Sequence, residues 1–128
     1  MKIVDTRVAA ELGKDHAHMV MALAKPGIDI VTSLTPESAH ALHMAVGISG
    51  EAGELLDAVK KHAVYCKPID RANVVEELGD LEFYMQGLRQ GLGITREETL
   101  EANMAKLSKR YSLGKYSNEQ AQERADKQ

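Results

Sequence analysis

A row of apolar residues, spaced alternately four and three positions apart between residues 74 and 92, decides the fold class of this chain. That spacing places all its members on one face of an α-helix and is typical of the seam along which helices pack in a bundle. The row consists of Val74, Leu78, Leu81, Met85, Leu88 and Leu92. No alternating run of β-branched residues extends beyond Ile28 to Val31, so strands are not expected. The sequence therefore predicts an all-α fold.

Capping and breaking residues divide the chain into four main predicted helices. They cover about residues 6–24, 35–64, 71–90 and 95–111. Pro26 closes the first helix, and a loop is expected from there to Leu34. Pro68 separates the second helix from the third, and the short connection between them predicts an antiparallel hairpin. Glycines at positions 47, 50 and 53 predict a bend or a close contact in the middle of the second helix.

These helices are expected to form one helical bundle domain over residues 1–128, with its core at about 36–111. The polar tail, residues 112–128, offers Ser117 as the cap of a further short helix, which would fold only by docking on something else. The apolar faces of the second and third helices are longer than one short chain can cover. Self-association is therefore expected to complete the core.

Composition excludes several classes of function. The chain has 44% hydrophobic and 27% charged residues, which is typical of a soluble folded protein. No apolar stretch reaches the ~18 residues of a membrane span, and the N-terminus lacks the apolar run of a signal peptide, so we predict a cytoplasmic protein without a membrane partner. A single cysteine excludes an internal disulfide and a cysteine-based zinc site. The net charge of -3 argues against a nucleic-acid polymer as partner but not against a single nucleotide.

Two pairs of acids occur in the same local sequence on the second and third predicted helices. Glu51 and Glu54 are three positions apart, as are Glu77 and Asp80, so each pair projects from one helical face. The segments EAGEL and ELGDL that contain them match acid for acid and glycine for glycine at an offset of 26 residues. In an antiparallel hairpin the four carboxylates can converge near its middle.

Such convergence has an electrostatic cost that a partner must offset. Two carboxylates about 5.5 Å apart repel by roughly 3 kcal/mol at an effective dielectric constant of ~20. None of the four acids is followed four positions later by Lys or Arg, whereas Asp57 is followed by Lys61. An all-oxygen ligand set suits Mg²⁺, with Mn²⁺ as a substitute, and the alternative is a solvated acidic face. A di-iron centre is not expected because Glu-x-x-His does not occur on two helices.

Polar residues also form a stripe on the fourth predicted helix. Asn103, Lys106 and Arg110 follow one another at steps of three and four positions and lie opposite the apolar residues of that helix. Such a stripe is suited to phosphate oxygens. The alternative is that its cations simply favour the C-terminal end of the helix dipole.

The combination of these motifs resembles a known family over about residues 36–111, the MazG-like all-α nucleoside triphosphate pyrophosphohydrolases. The motifs are Glu51-x-x-Glu54, Glu77-x-x-Asp80 and Asn103-x-x-Lys106-Leu107-x-x-Arg110-Tyr111. The resemblance implies that the four acids hold Mg²⁺ and serve catalysis, and that a nucleoside or deoxynucleoside triphosphate is cleaved between its α and β phosphates. The products would be a monophosphate and pyrophosphate. Related enzymes that cleave phosphoribosyl-ATP share the scaffold.

The resemblance also implies contacts and an assembly. Tyr84, Asn103, Lys106 and Arg110 are expected to bind the substrate's phosphates, although a ring at the edge of the core is the alternative role for Tyr84. A homodimer or a dimer of dimers is expected.

Four points stay open in the sequence. Many relatives carry a glutamate directly before the first motif acid, where this chain has Gly50, so the general base is not defined. Glu76 is the nearest spare carboxylate and either orients the attacking water or is a surface acid. His40 and His43 are expected to be structural, and the alternative is that either faces the base or sugar of a nucleotide. The alternative functions are a non-catalytic helical oligomer with acidic patches and a phosphoribosyl-ATP pyrophosphohydrolase.

Overall fold

The computed structural model describes residues 15–128, and this part of the chain contains helices and turns but no strand. The all-α prediction is confirmed. The chain divides into a unit that ends at Thr35 and a larger unit, Pro36–Gln128. In the first unit α1 covers His16–Leu23 and α2 covers Gly27–Ser33, and residues 6–14 of the first predicted helix lie outside the described residues.

The predicted loop before Leu34 is wrong, because α2 occupies most of it. Pro26 ends α1 and also lies at the N-cap of α2, where its φ of -58° is already suited to a helix. The hydroxyl of Thr32 donates to the Ile28 carbonyl at 2.7 Å, so this polar side chain is satisfied within the short helix. A helix breaker can therefore begin one helix where it closes another.

In the second unit α3 covers Pro36–Ala63, α4 covers Arg71–Leu92 and α5 covers Arg96–Arg110. Side chains cap the last two, since Asp70 accepts from the Asn73 amide and Thr95 from the Glu98 amide, both at 3.0 Å. Beyond them α6 covers Asn118–Glu123, and a 3₁₀ turn, Ala125–Lys127, follows it. No helix among residues 15–128 is long and apolar enough to cross a bilayer.

Helices α3 and α4 lie against each other through glycines. A Cβ placed on Gly47 would collide with the Tyr84 ring, and one placed on Gly87 would collide with the Met44 sulfur. Across the same contact, His40 Nε2 donates to the Gly87 carbonyl at 3.0 Å, which is the structural role expected of this histidine. The close contact predicted for the glycines of the second helix therefore occurs at Gly47.

The predicted apolar seam is incompletely covered. Met44 and Ala58 are the only buried apolar residues among residues 15–128. Of the seam residues, Leu78 is 47% exposed and Leu92 is 56% exposed. Helix α5 contacts α6 and the 3₁₀ turn. The four-helix bundle and its completion by self-association stay predictions.

Candidate metal centre

Three of the four motif acids meet where α3 and α4 lie side by side. Glu51 comes from α3, while Glu77 and Asp80 come from α4, one helical turn apart. One carboxylate oxygen of each lies within 4.8 Å of those of the other two. Glu51 and Glu77 are half-buried and Asp80 is exposed. The cluster is thus held by two rigid helices and is open to solvent on one side.

The spacing of these oxygens is wider than that around a bound hard cation. In a six-coordinate Mg²⁺ site neighbouring ligand oxygens are about 3.0 Å apart and opposite ones about 4.2 Å apart, because each Mg–O distance is about 2.1 Å. The oxygens of the cluster lie within 4.8 Å of one another, so rotation of the side chains would bring them around one ion. Carboxylate oxygens are the donors that Mg²⁺ and Mn²⁺ prefer. The three acids therefore suit either of these ions.

The repulsion among the acids of the cluster affects the pKa of Glu77. Its pKa is raised above the ordinary value of 4.5, first because the carboxyl is partly removed from water and next because it shares a hydrogen bond with Glu51. Repulsion by the charges of Glu51, Glu54 and Asp80 raises it further. A bound divalent cation would reverse this repulsion, because it favours the ionised carboxylates.

No base of residues 15–128 forms an ion pair with the motif acids. The ion pairs in this part of the chain include none to Glu51, Glu54, Glu77 or Asp80. Asp57, two turns from Glu51 on the same helix, pairs with Lys61 at 3.0 Å. The contrast that the sequence predicted between Asp57 and the motif acids is therefore present in this part of the chain.

Glu54 stands apart from the other three acids. It is exposed and has no oxygen within the group of three, but its charge contributes to the raised pKa of Glu77. Glu76 is exposed beside Glu77. A Cβ added at Gly50 or at Gly53 would have no neighbouring side chain or other segment within 4 Å. This side of α3 is consequently open.

Tyr84 lies one turn beyond Asp80 and packs inside the hairpin. Its half-buried ring covers Gly47 and makes edge contacts with Phe83 and His43, at centroid distances of 5.2 and 6.2 Å. The ring therefore fills the contact between the helices. The sequence showed the glycine and the tyrosine but not that they meet.

The residues of the polar stripe of α5 differ in their contacts. Asn103 and Lys106 are exposed, and their side chains make no hydrogen bond or ion pair with residues 15–128. Arg110 instead makes two bonds to the carboxylate of Asp126, from Nε at 2.7 Å and from Nη2 at 3.1 Å. Sequence reasoning missed Asp126, because no spacing relates an acid of the tail to a residue 16 positions earlier.

A hairpin of two long helices that brings carboxylates from both to one point defines a helical protein with a candidate divalent-metal centre. Comparison with protein families identifies residues 40–113 as a MazG nucleotide pyrophosphohydrolase domain. This match spans more than half of the chain, and the chain belongs to the MazG family. The resemblance noted in the sequence is thereby confirmed. No curated protein and no solved structure matches the chain significantly.

Proposed function

We propose that this protein is a Mg²⁺-dependent nucleotide pyrophosphohydrolase that cleaves a nucleoside or deoxynucleoside triphosphate between its α and β phosphates. The observation that carries the proposal is the convergence of Glu51, Glu77 and Asp80 within 4.8 Å in a chain of the MazG family. Members of this family are nucleotide pyrophosphohydrolases, which hydrolyse phosphoanhydride bonds. The products would be a monophosphate and pyrophosphate.

The carboxylates of the cluster would hold the cation, and rotation of the exposed Glu54 side chain would add the fourth acid. A divalent ion there supplies charge that neutralises triphosphate oxygens and makes the attacking water more acidic. Because Gly50 carries no side chain, we assign the orientation of that water to Glu76, the exposed acid directly before Glu77 in the chain. The water attacks the α-phosphorus, and pyrophosphate leaves.

Phosphate binding is proposed for Asn103, Lys106 and Arg110 of α5 and for Tyr84. Lys106 and Asn103 are exposed and uncommitted within residues 15–128, so their donors are available to an anionic substrate. Tyr84 lies one turn from Asp80, although its ring is largely engaged by the hairpin. We therefore expect only the hydroxyl group of Tyr84 to contact the phosphates.

A panel of natural and damaged nucleotides, incubated with Mg²⁺ or Mn²⁺ and assayed for pyrophosphate against orthophosphate, tests the reaction. Pyrophosphate release that stops on addition of EDTA supports the proposal. If no nucleotide releases pyrophosphate and Mg²⁺ does not raise the melting temperature, the protein is instead a non-catalytic helical oligomer. Release of orthophosphate alone would contradict the proposed bond cleavage.

Lys106→Ala should reduce kcat/KM by about 10- to 100-fold, because a hydrogen bond to a charged group is worth ~1.5–3 kcal/mol. Metal affinity should stay within about twofold, since Lys106 belongs to a different helix from the acids. Steady-state kinetics and a Mg²⁺ titration of the same preparation measure both. Lys25→Ala, in the first unit, is the matched control. Wild-type kinetics in the Lys106 variant would return this residue to the solvated surface.

Self-association is proposed because α3 and α4 expose large apolar residues over much of their length. Val46, Leu56, Val75 and Phe83 are all more than half exposed. A compact protein of this size normally buries such residues, and a homodimer or a dimer of dimers would cover them.

Leu56→Glu should weaken the assembly about tenfold or more, because burying one leucine stabilises by ~1.5–3 kcal/mol. Sedimentation velocity across a dilution series measures the change. Met21→Glu, which alters an 82% exposed residue of the first unit, should leave the assembly unchanged. A wild-type protein that is monomeric at all concentrations would contradict the proposal.

A further inference from the structure

The C-terminal tail folds back onto α5 and forms an ion pair with it. Ser117 caps α6 by accepting from the Gln120 amide at 3.0 Å. Arg124 then adopts a left-handed conformation with a φ of 52°, which turns the chain into the 3₁₀ turn. This turn brings Asp126 against Arg110 at the end of α5. The tail thus docks, as its composition predicted, and its docking partner is the helix that carries the polar stripe.

The Arg110–Asp126 pair is bidentate and shielded from water. The Asp126 side chain is only 3% exposed and that of Arg110 is 17% exposed. Hydrogen bonding to the partner raises the pKa of Arg110 and lowers the pKa of Asp126, so both groups are ionised. A second hydrogen bond joins the tail to α5, because Lys109 Nζ donates to the Gln128 carbonyl at 3.4 Å.

A phosphate that displaced Asp126 from Arg110 would leave a buried carboxylate without a partner, which is strongly unfavourable. The pair therefore persists while an anion binds. A guanidinium has five N–H donors, and the two bonds to Asp126 use one on Nε and one on Nη2, so no more than three remain. The neighbouring Tyr111 hydroxyl also interacts with the group. A bidentate carboxylate on one edge fixes the plane of the group and leaves the other edge to a second anion.

We propose that Asp126 is a positioning residue that holds Arg110 in the orientation required to bind the substrate's phosphates, which makes the C-terminal segment 117–128 a part of the nucleotide site. This inference rests on the proposed function, since it requires that Arg110 contacts phosphate. It assigns to the tail a role in substrate affinity in addition to its role in folding.

Asp126→Asn removes the charge and one acceptor. We expect KM for the triphosphate to rise about 5- to 20-fold, with kcat and Mg²⁺ affinity within about twofold of wild type. Asp57→Asn, which breaks the exposed Asp57–Lys61 pair, is the matched control and should leave KM unchanged. A lower melting temperature with an unchanged KM would overturn the inference and leave the proposed function intact. A wild-type protein that cleaves no nucleotide would overturn the proposed function itself.

The exchanged pair, Arg110→Asp with Asp126→Arg, shows whether the ion pair has a role beyond folding, and it decides that question if Asp126→Asn does not fold. It restores opposite charges at the same contact, so the melting temperature should recover. KM should stay raised at least about fivefold, because the guanidinium now extends from the tail and an acid occupies the phosphate-binding position. Recovery of both the melting temperature and KM would show that the pair is only structural.

Discussion

Glu77→Gln is expected to abolish pyrophosphate release while the metal-free fold becomes no less stable. The loss in kcat should reach about a thousandfold or more, since charge stabilisation by a catalytic metal is worth several kcal/mol. In the metal-free protein the substitution removes a carboxylate that is repelled by Glu51, Glu54 and Asp80. Activity and stability should therefore change in opposite directions.

The pH dependence provides a second measurement of the same effect. The folded protein holds a proton on Glu77 more tightly than the unfolded chain does, because its pKa in the fold is raised above 4.5. The metal-free protein should therefore lose stability as the pH rises from about 4.5 through the raised pKa, and this loss persists above it. Glu77→Gln should reduce that loss, and saturating Mg²⁺ should offset it in the wild type only.

Asp57→Asn provides the matched control, because it removes an acid of α3 that is already paired with Lys61. It should retain wild-type turnover and Mg²⁺ response. Glu51→Gln, Glu54→Gln and Asp80→Asn should resemble Glu77→Gln, and thermal unfolding with and without Mg²⁺ measures each. Wild-type turnover in Glu77→Gln would remove this residue from the proposed ligand set.

Gly47→Ala is expected to destabilise the protein although alanine is the better helix former. The added methyl group would collide with the Tyr84 ring, and such overpacking of a close contact costs about 1–3 kcal/mol. Because Tyr84 lies one turn from Asp80, its displacement should also weaken Mg²⁺ binding. Denaturant unfolding and a Mg²⁺ titration measure the two effects.

Gly53→Ala tests the same substitution on the same helix without the collision. No heavy atom lies within 4 Å of the Cβ that Gly53 would carry, so the variant should be more stable by about 0.5–1 kcal/mol from helix propensity alone. Opposite signs for the two variants would locate the contact between the helices at Gly47. Equal stabilisation by both would show that α3 and α4 do not approach closely there.

The boundaries of the hairpin helices were predictable to within about two residues, because they depend on neighbouring residues. Pro36 at the first helical position, Asp70 at an N-cap and Gly93 after the last turn act through the adjacent backbone. The short helix α2 was missed since Pro26 reads equally well as a helix stop and as a helix start. Capping and breaking residues locate a helix boundary, but they do not always show whether the helix lies before it or after it.

The candidate site was predictable in part. The matching segments EAGEL and ELGDL placed Glu51 and Glu77 on the facing sides of two helices. The structure brings these two acids together with Asp80. That Glu54 stands outside the group of three depends on side-chain orientation, which helical periodicity does not specify. The engagement of Arg110 by Asp126 depends on the path of the tail and had no signal in the spacing.

The amino-acid order alone established that the chain is helical, which residues cap its main helices, and that two helices each present a pair of acids. These properties arise within a few residues along the backbone, where the helical repeat sets every distance. Only the tertiary structure decided which acids meet, that Tyr84 covers Gly47, and that the tail holds Arg110. Such contacts join residues far apart in the chain, so their distances depend on how whole helices pack.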